Sequence, residues 1–246
     1  MAFYFDENQN LRTGELDEWP WLVHGFGTRA AGDMAAPAAR QHFAQVAGGP
    51  EMTLVTLRQL HSAIVHVAGG NDVAGIPGDG LITGRAGLLL GIKTADCLPI
   101  LLVDGQRRVV AAVHAGWRGC TQRIVEKCVS EMRRCFGCDP SDLQAAVGPG
   151  IQQCCFEVGA EVLEQFFSQF PDAGRFCRRD PVSSVRGTVD LTEAVRRQLL
   201  AAGVRSEQIY RSALCTGCDL SRFYSYRREK EAAGRMLAVI GVRSCN

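Results

Sequence analysis

His61, Cys97 and His114 are the side chains of this sequence whose types and setting could do chemistry. The segments RQLHS, TADCLPILL and AAVHAGWRG each place one soft or borderline metal ligand beside an apolar run that reads as a buried strand. Neutral imidazole and thiolate suit zinc, and three protein ligands leave a fourth coordination position for water or substrate. Structural zinc usually clips close pairs such as C-x2-C, whereas these three ligands come singly from separate elements, as in a constellation assembled by a whole fold. The three are therefore expected to be metal ligands and catalytic residues together. Trp117 and Arg118 follow His114 between two glycines and offer a stacking surface and an anion-binding fork. Asp96, adjacent to Cys97 on an extended segment, would point to the opposite face and is read as capping a turn.

The elements that must position these residues are legible as apolar runs. Leu54 to Leu57, Ile64 to Val67, Leu88 to Ile92, Ile100 to Val103, Val109 to Val113, Ala145 to Val147 and Leu237 to Val242 read as strands bounded by Gly, Pro or Asp-Gly breaks. Asp104-Gly105 sits where a hairpin would join two of them, so that antiparallel pairing brings the neighbourhoods of Cys97 and His114 together. Helical periodicity runs from Thr121 to Phe136. A second helix is expected behind an Asp190 cap with Glu193 three residues on, stopping at Gly203, and a third after Gly159. Successive strands without intervening helices favour an α+β fold with mixed β-sheets flanked by helices over a regular doubly wound sheet.

Residues 1–246 are expected to form one domain, since no linker or internal repeat divides them. The formal charge is +1, from 27 Lys and Arg against 26 Asp and Glu. That balance excludes a general electrostatic attraction to nucleic acid or anionic membrane, and the Arg pairs at 133–134, 178–179, 196–197 and 227–228 read as solvated faces. No basic-then-apolar leader and no uncharged apolar stretch of about 18 residues is present, which predicts a cytoplasmic chain whose partners are small molecules. It is expected to be a monomer or weak homo-oligomer. Its 11 cysteines then read as buried groups, metal ligands or reactive thiols.

Three further motifs have bland readings beside sharp ones. Gly78-Asp79-Gly80-Leu81-Ile82-Thr83 lacks a full phosphate-loop fingerprint and reads as a tight turn. Gly148-Pro149-Gly150 ends a strand and either turns or lets backbone approach a ligand. The pairs Cys135/Cys138 and Cys215/Cys218 could together hold a second zinc, although Cys135 ends a helix, while Cys154-Cys155 reads as a strand-end pair with one thiol inward.

Taken in order, HGFGTR, RQLHS, GDGLIT, KTADCLPILL, AAVHAGWRG, AVGPGI, FEVG, CTGC and FYSYRR resemble the laccase-domain or polyphenol oxidase family, also called YfiH-like purine nucleoside phosphorylases. The resemblance spans nearly the whole chain. It implies an α+β domain whose zinc is held at the positions matched by His61, Cys97 and His114. It also implies phosphorolysis of adenosine, inosine and S-methyl-5'-thioadenosine with phosphate, and adenosine deamination, while the older family label implies copper and phenol oxidation. Gly27 stands where the family commonly has Ser, and Gly80 where Ala is usual. Arg29, Arg118 and Arg227 are candidate phosphate ligands by charge and motif position, and Gln59 and Trp117 candidate substrate contacts. Copper is less expected than zinc, because a multicopper oxidase needs more ligands than five histidines supply. Two other classes remain open: a Cys-His hydrolase or amidase acting on cell-wall peptide precursors, and a binding protein that recognises a small metabolite.

Overall fold

The computed structural model describes residues 3–182 and 185–244. Leu98–Asp104 and Val109–Ala115 are buried along their whole lengths and pair antiparallel from Leu98 opposite Ala115 to Asp104 opposite Val109. They form the centre of a six-stranded sheet ordered Ile209–Arg211, Leu143–Val147, Leu98–Asp104, Val109–Ala115, Gly80–Thr83, Val65–Val67. A second six-stranded sheet runs Phe3–Phe5, Leu11–Thr13, Leu22–Phe26, Met236–Val242, Leu88–Thr94, Thr53–Thr56.

Side chains on a strand alternate between faces, and here both faces are covered, so the sequence reads as continuous apolar runs. Leu101, Val103, Val110 and Ala112 point toward the second sheet and pack with its Phe26, Leu90, Ile92 and Ile240. Ile100, Leu102, Ala111 and Val113 point the other way, onto Ile124–Phe136, Ala160–Gln169 and Leu191–Ala201. On the far face of the second sheet, Val23, Leu89 and Val239 pack on Phe43 and Ala44 of the helix Pro37–Gly48. The layers are thus helix, sheet, sheet, helices. This is the expected α+β arrangement with mixed sheets, and a small third sheet of Glu157–Gly159, Arg186–Val189 and Cys177–Arg179 is added at one side.

The local signals behave as their chemistry requires. Asp190 accepts from the Glu193 amide at 2.9 Å and caps Leu191–Ala201, and Gly203 beyond its end takes φ 99°. Asp104 Oδ1 accepts from the amides of Gln106 and Arg107 at 3.0 and 2.8 Å and shapes the hairpin turn.

Two expectations are corrected. The stretch from Thr121 to Phe136 is not one helix: Trp117–Thr121 and Ile124–Phe136 are separated by Gln122 and by Arg123, whose backbone is left-handed at φ 63° while its guanidinium binds Glu126 and lies 4.2 Å from the Phe170 ring centroid. The GDGLIT segment is more than a turn, since Gly80–Thr83 is a buried strand of the first sheet. A β-carbon on Gly80 would stand 2.9 Å from Val65 Cγ2, so the bare glycine lets the edge strand Val65–Val67 close in.

Candidate functional site

The hairpin register fixes one half of the site. Cys97 immediately precedes Leu98, and His114 lies opposite Pro99 within the partner strand, one pair from its end. That strand was expected to end at Val113. Pairing carries it to Ala115 and makes His114 part of the ladder, with its amide donating to the Asp79 carbonyl at 2.7 Å.

The other half is a loop folded around one carboxylate. Asp79, fully buried, accepts from the backbone amides of Leu60, His61 and Ser62 at 3.2, 3.0 and 2.7 Å, and from the Ser62 hydroxyl at 2.6 Å. This wrapping holds His61 in a left-handed backbone conformation, φ 59°, and turns its ring toward His114, the centroids being 4.9 Å apart. Such a φ is uncommon outside glycine but tolerated by His. Gly116 leaves the space into which Cys97 and His61 converge, for a β-carbon there would sit 2.9 Å from Cys97 Sγ and 3.0 Å from His61 Cδ2.

Ligating atoms of His61, Cys97 and His114 lie within 4.8 Å of one another, with His61 exposed, Cys97 partly buried and His114 buried. Asp79 Oδ1 accepts from His114 Nδ1 at 2.7 Å, which leaves Nε2 to face His61 and Cys97. Burial opposes ionisation of the Cys97 thiol, yet the two imidazoles beside it bring it down to about 6. Burial likewise opposes a charged His114, and the Cys97 thiolate and Asp79 outweigh it, raising His114 to about 9. For Asp79, burial works against the carboxylate, but the hydrogen bonds from His114 and Ser62 hold it well below the usual carboxylate range. Two nitrogens and a sulfur gathered around a gap, with a carboxylate behind one imidazole, are what a three-ligand metal centre with an open face requires.

A family model described as multi-copper polyphenol oxidoreductase laccase matches residues 12–243. The chain belongs to that family. Its fold is that of solved family members: YlmD from Geobacillus stearothermophilus superposes with a TM-score of 0.89 at 31% identity, covering 99% of both chains. The YfiH protein of Bacillus licheniformis superposes at 0.87 and 27% identity, covering 98% of this chain and 99% of that one. Among curated relatives, the adenosine deaminase RL5 of an unknown prokaryotic organism is 40% identical over 74% of this chain and 72% of its own. A purine nucleoside phosphorylase of Deinococcus radiodurans is 36% identical over 90% and 89%. The curated relatives are thus named for two reactions, while the description of the family names a third, an oxidation.

Against this family background the expected substrate residues fall into distinct settings. Arg118 is exposed, stacked on Trp117 with its guanidinium 4.4 Å from the ring centroid, and has no carboxylate partner among the described residues. Arg29 is committed elsewhere: it donates to Glu229 at 2.7 Å and to the Phe223 carbonyl at 3.1 Å and lies over Tyr224. Arg227 donates from Nη1 to the Glu157 carbonyl at 2.8 Å. Gln59 uses both amide atoms on the backbone of Lys93, at 2.7 and 2.9 Å, and so pins the His61 loop to the strand Leu88–Thr94. Gly27, where the resemblance expects Ser, is tightly enclosed, since a β-carbon would stand 2.9 Å from the Leu237 carbonyl and 3.0 Å from Phe43.

Sequence reasoning missed Asp79, the residue that joins the two halves. Its one signal was a carboxylate between two glycines directly before an apolar run. Asp96 is buried at a backbone φ of 85° and receives the Thr216 hydroxyl on Oδ1 and the Arg227 amide on Oδ2, both at 2.6 Å. It anchors the C-terminal segment beside Cys97. The two C-x2-C pairs do not meet: Cys135 is exposed beside Glu131, Cys138 is buried, and Cys215 and Cys218 face Cys154 and Cys155 instead.

Proposed function

We propose that the chain is a zinc-dependent purine nucleoside phosphorylase acting on adenosine, inosine and S-methyl-5'-thioadenosine, with adenosine deamination at the same centre. The observation that carries this reading is the convergence of His61, Cys97 and His114 on one gap, with Asp79 fixing the tautomer of His114. Held there, zinc would supply Lewis acidity and a water acidic enough to act at neutral pH, the chemistry that deamination at purine C6 calls for. The names of the relatives support both reactions.

The chain's own groups have definable tasks. Asp79 orients His114 and raises its basicity, and Cys97, acidified by its neighbours, presents a thiolate at neutral pH. In phosphorolysis the C1'–N9 bond breaks with its electron pair leaving on the base, while a phosphate oxygen bonds to C1'. The dianion needs a cationic fork that no carboxylate already neutralises. Arg118 fits that need better than Arg29, which Glu229 occupies. Trp117 beneath it holds the guanidinium flat and offers a ring at the rim.

Copper oxidation fits the donors less well. Multicopper chemistry needs several metal centres rich in imidazole, whereas this centre holds two imidazoles and a thiolate, and His24 and His66 bond to backbone elsewhere. A second reading has one observation in its favour: Cys97, His114 and Asp79 lie in the order nucleophile, base and orienting carboxylate of a Cys-His hydrolase. That reading leaves His61 only the lesser task of helping His114 to acidify Cys97.

The deciding experiment incubates metal-analysed protein with adenosine, with and without phosphate, and identifies the products. Adenine and ribose 1-phosphate are expected only with phosphate, and inosine in both. Absence of all three from active-site-intact, zinc-loaded protein overturns the proposal.

A further inference from the structure

Four thiols gather at a second place, away from the centre just described. Cys154 Sγ lies 3.9 Å from Cys155 Sγ, 3.7 Å from Cys215 Sγ and 3.6 Å from Cys218 Sγ, and Cys155 and Cys218 are 3.4 Å apart. All four sulfurs lie within 4.8 Å of one another. Four thiolates bound tetrahedrally at a Zn–S length of about 2.3 Å stand about 3.8 Å apart along each edge. The observed separations match that figure. They are too long for a disulfide, whose sulfurs bond at about 2.0 Å.

The topology explains why a Cys-Cys pair meets a C-x2-C pair. Leu143–Val147 and Ile209–Arg211 are parallel neighbours, with Val147 opposite Arg211, so the loops that follow them emerge side by side. A bridge between Gly150 and Cys215 continues the contact. The turn at 153–155, closed by the Cys155 amide donating to the Gln152 carbonyl at 2.9 Å, brings both adjacent thiols to one side, which an extended strand could not do.

The surroundings are those of a tetrathiolate site. The Gln152 amide donates to Cys215 Sγ at 3.4 Å, and Arg228 Nη2 donates to Cys155 Sγ at 3.4 Å. Such donors stabilise thiolate charge, and four thiolates around a dication leave a net negative charge that Arg228 faces. Gly217 is required between the cysteines, because a β-carbon would stand 3.0 Å from Cys155 Cβ and 3.2 Å from its Sγ.

We propose that Cys154, Cys155, Cys215 and Cys218 bind one zinc ion as a closed, structural site distinct from the His61–Cys97–His114 centre. Four protein ligands leave no open position, and binding exchanges the remaining thiol protons for the metal. The site clips the loop after Leu143–Val147 to the segment carrying Thr216 and Arg227, the two residues that hold Asp96 beside Cys97.

The test is metal analysis of the full chain purified without added metal. About two zinc ions per chain are expected in the wild type. The double variant Cys154→Ser/Cys218→Ser and the single variant His61→Ala should each lose about one, and different ones. Because the double variant could fold poorly, native alkylation of the wild type provides a second readout. Cys154 and Cys218 are exposed and so is Cys135, which belongs to neither site. With zinc bound, Cys135 should be alkylated and the other two protected until a chelator is added. Wild-type protein with a single zinc that His61→Ala removes, or equal alkylation of all three exposed cysteines in the zinc-loaded protein, overturns the proposal. Neither readout depends on nucleoside turnover.

Discussion

Asp79 Oδ1 accepts from His114 Nδ1 at 2.7 Å while the other carboxylate oxygen closes the loop that carries His61. One buried carboxylate therefore orients two of the three proposed ligands. Asp79→Asn keeps the shape but removes the charge, and metal affinity, read by chelator competition, should fall about 10- to 100-fold. Unchanged affinity would mean that packing alone sets the imidazole geometry.

Cys97 separates the metal reading from the nucleophile reading. Cys97→Ala should lose both zinc from the His61–His114 centre and nucleoside turnover, since two imidazoles alone make a poorer chelate. The measurement is zinc content alongside product formation in the same preparation. Retained zinc with lost activity would favour covalent catalysis by the thiolate.

Arg118→Ala should raise the KM for phosphate in phosphorolysis by about tenfold to a hundredfold, corresponding to a charged hydrogen bond of about 1.5–3 kcal/mol. Inosine formation in the absence of phosphate should be unchanged. The comparison is made on protein with wild-type zinc content and thermal unfolding, because Arg118 also packs on Trp117. An unaltered phosphate dependence transfers the role to Arg227 or Arg29.

His24 predicts a pH dependence of stability in which His61, Cys97 and His114 take no part. Burial, and then the nearby Arg12 charge, lower its pKa from 6.5 to about 4. The unfolded chain therefore takes up a proton between these values that the folded chain refuses, and folding stability falls as pH drops through that window. The full effect is about 3 kcal/mol, with no further loss from this group below about pH 4. His24→Gln, whose side-chain carbonyl can still accept from the Thr13 amide, should flatten the slope of denaturation free energy between pH 4 and 6.5 relative to wild type. An identical slope in the two proteins would sink the assignment.

The strands nearest the site were legible because both faces of the first sheet are covered, which turns Ile100–Val103 and Val109–Val113 into unbroken apolar runs. The same double burial hid which residues serve which core. Phe3–Phe5 and Leu11–Thr13 are three-residue strands, too short for an alternation to register, and PAARQHFAQVAG shows a weak apolar stripe because its helix buries little beyond Phe43, Ala44 and Gly48. The three residues that converge on the gap could be read from residue type and motif. Asp79 could not, since its partner His114 is remote in sequence and its glycine neighbours speak only of a turn. The pairing of Cys215 and Cys218 with Cys154 and Cys155 depends on a parallel strand contact that no local spacing encodes.

The hairpin that aligns Cys97 with His114 ends in a turn whose Gln106, Arg107 and Arg108 are exposed. Five paired positions separate that turn from His114 and seven from Cys97, a distance of about 20 Å at the usual rise per residue. A shift of one residue anywhere along the ladder would turn His114 away from the gap, but extra residues between Gln106 and Arg107 alter no pair. The tip of this hairpin is therefore the natural place to graft a reporter or an affinity handle, leaving the ruler that spaces Cys97 and His114 untouched.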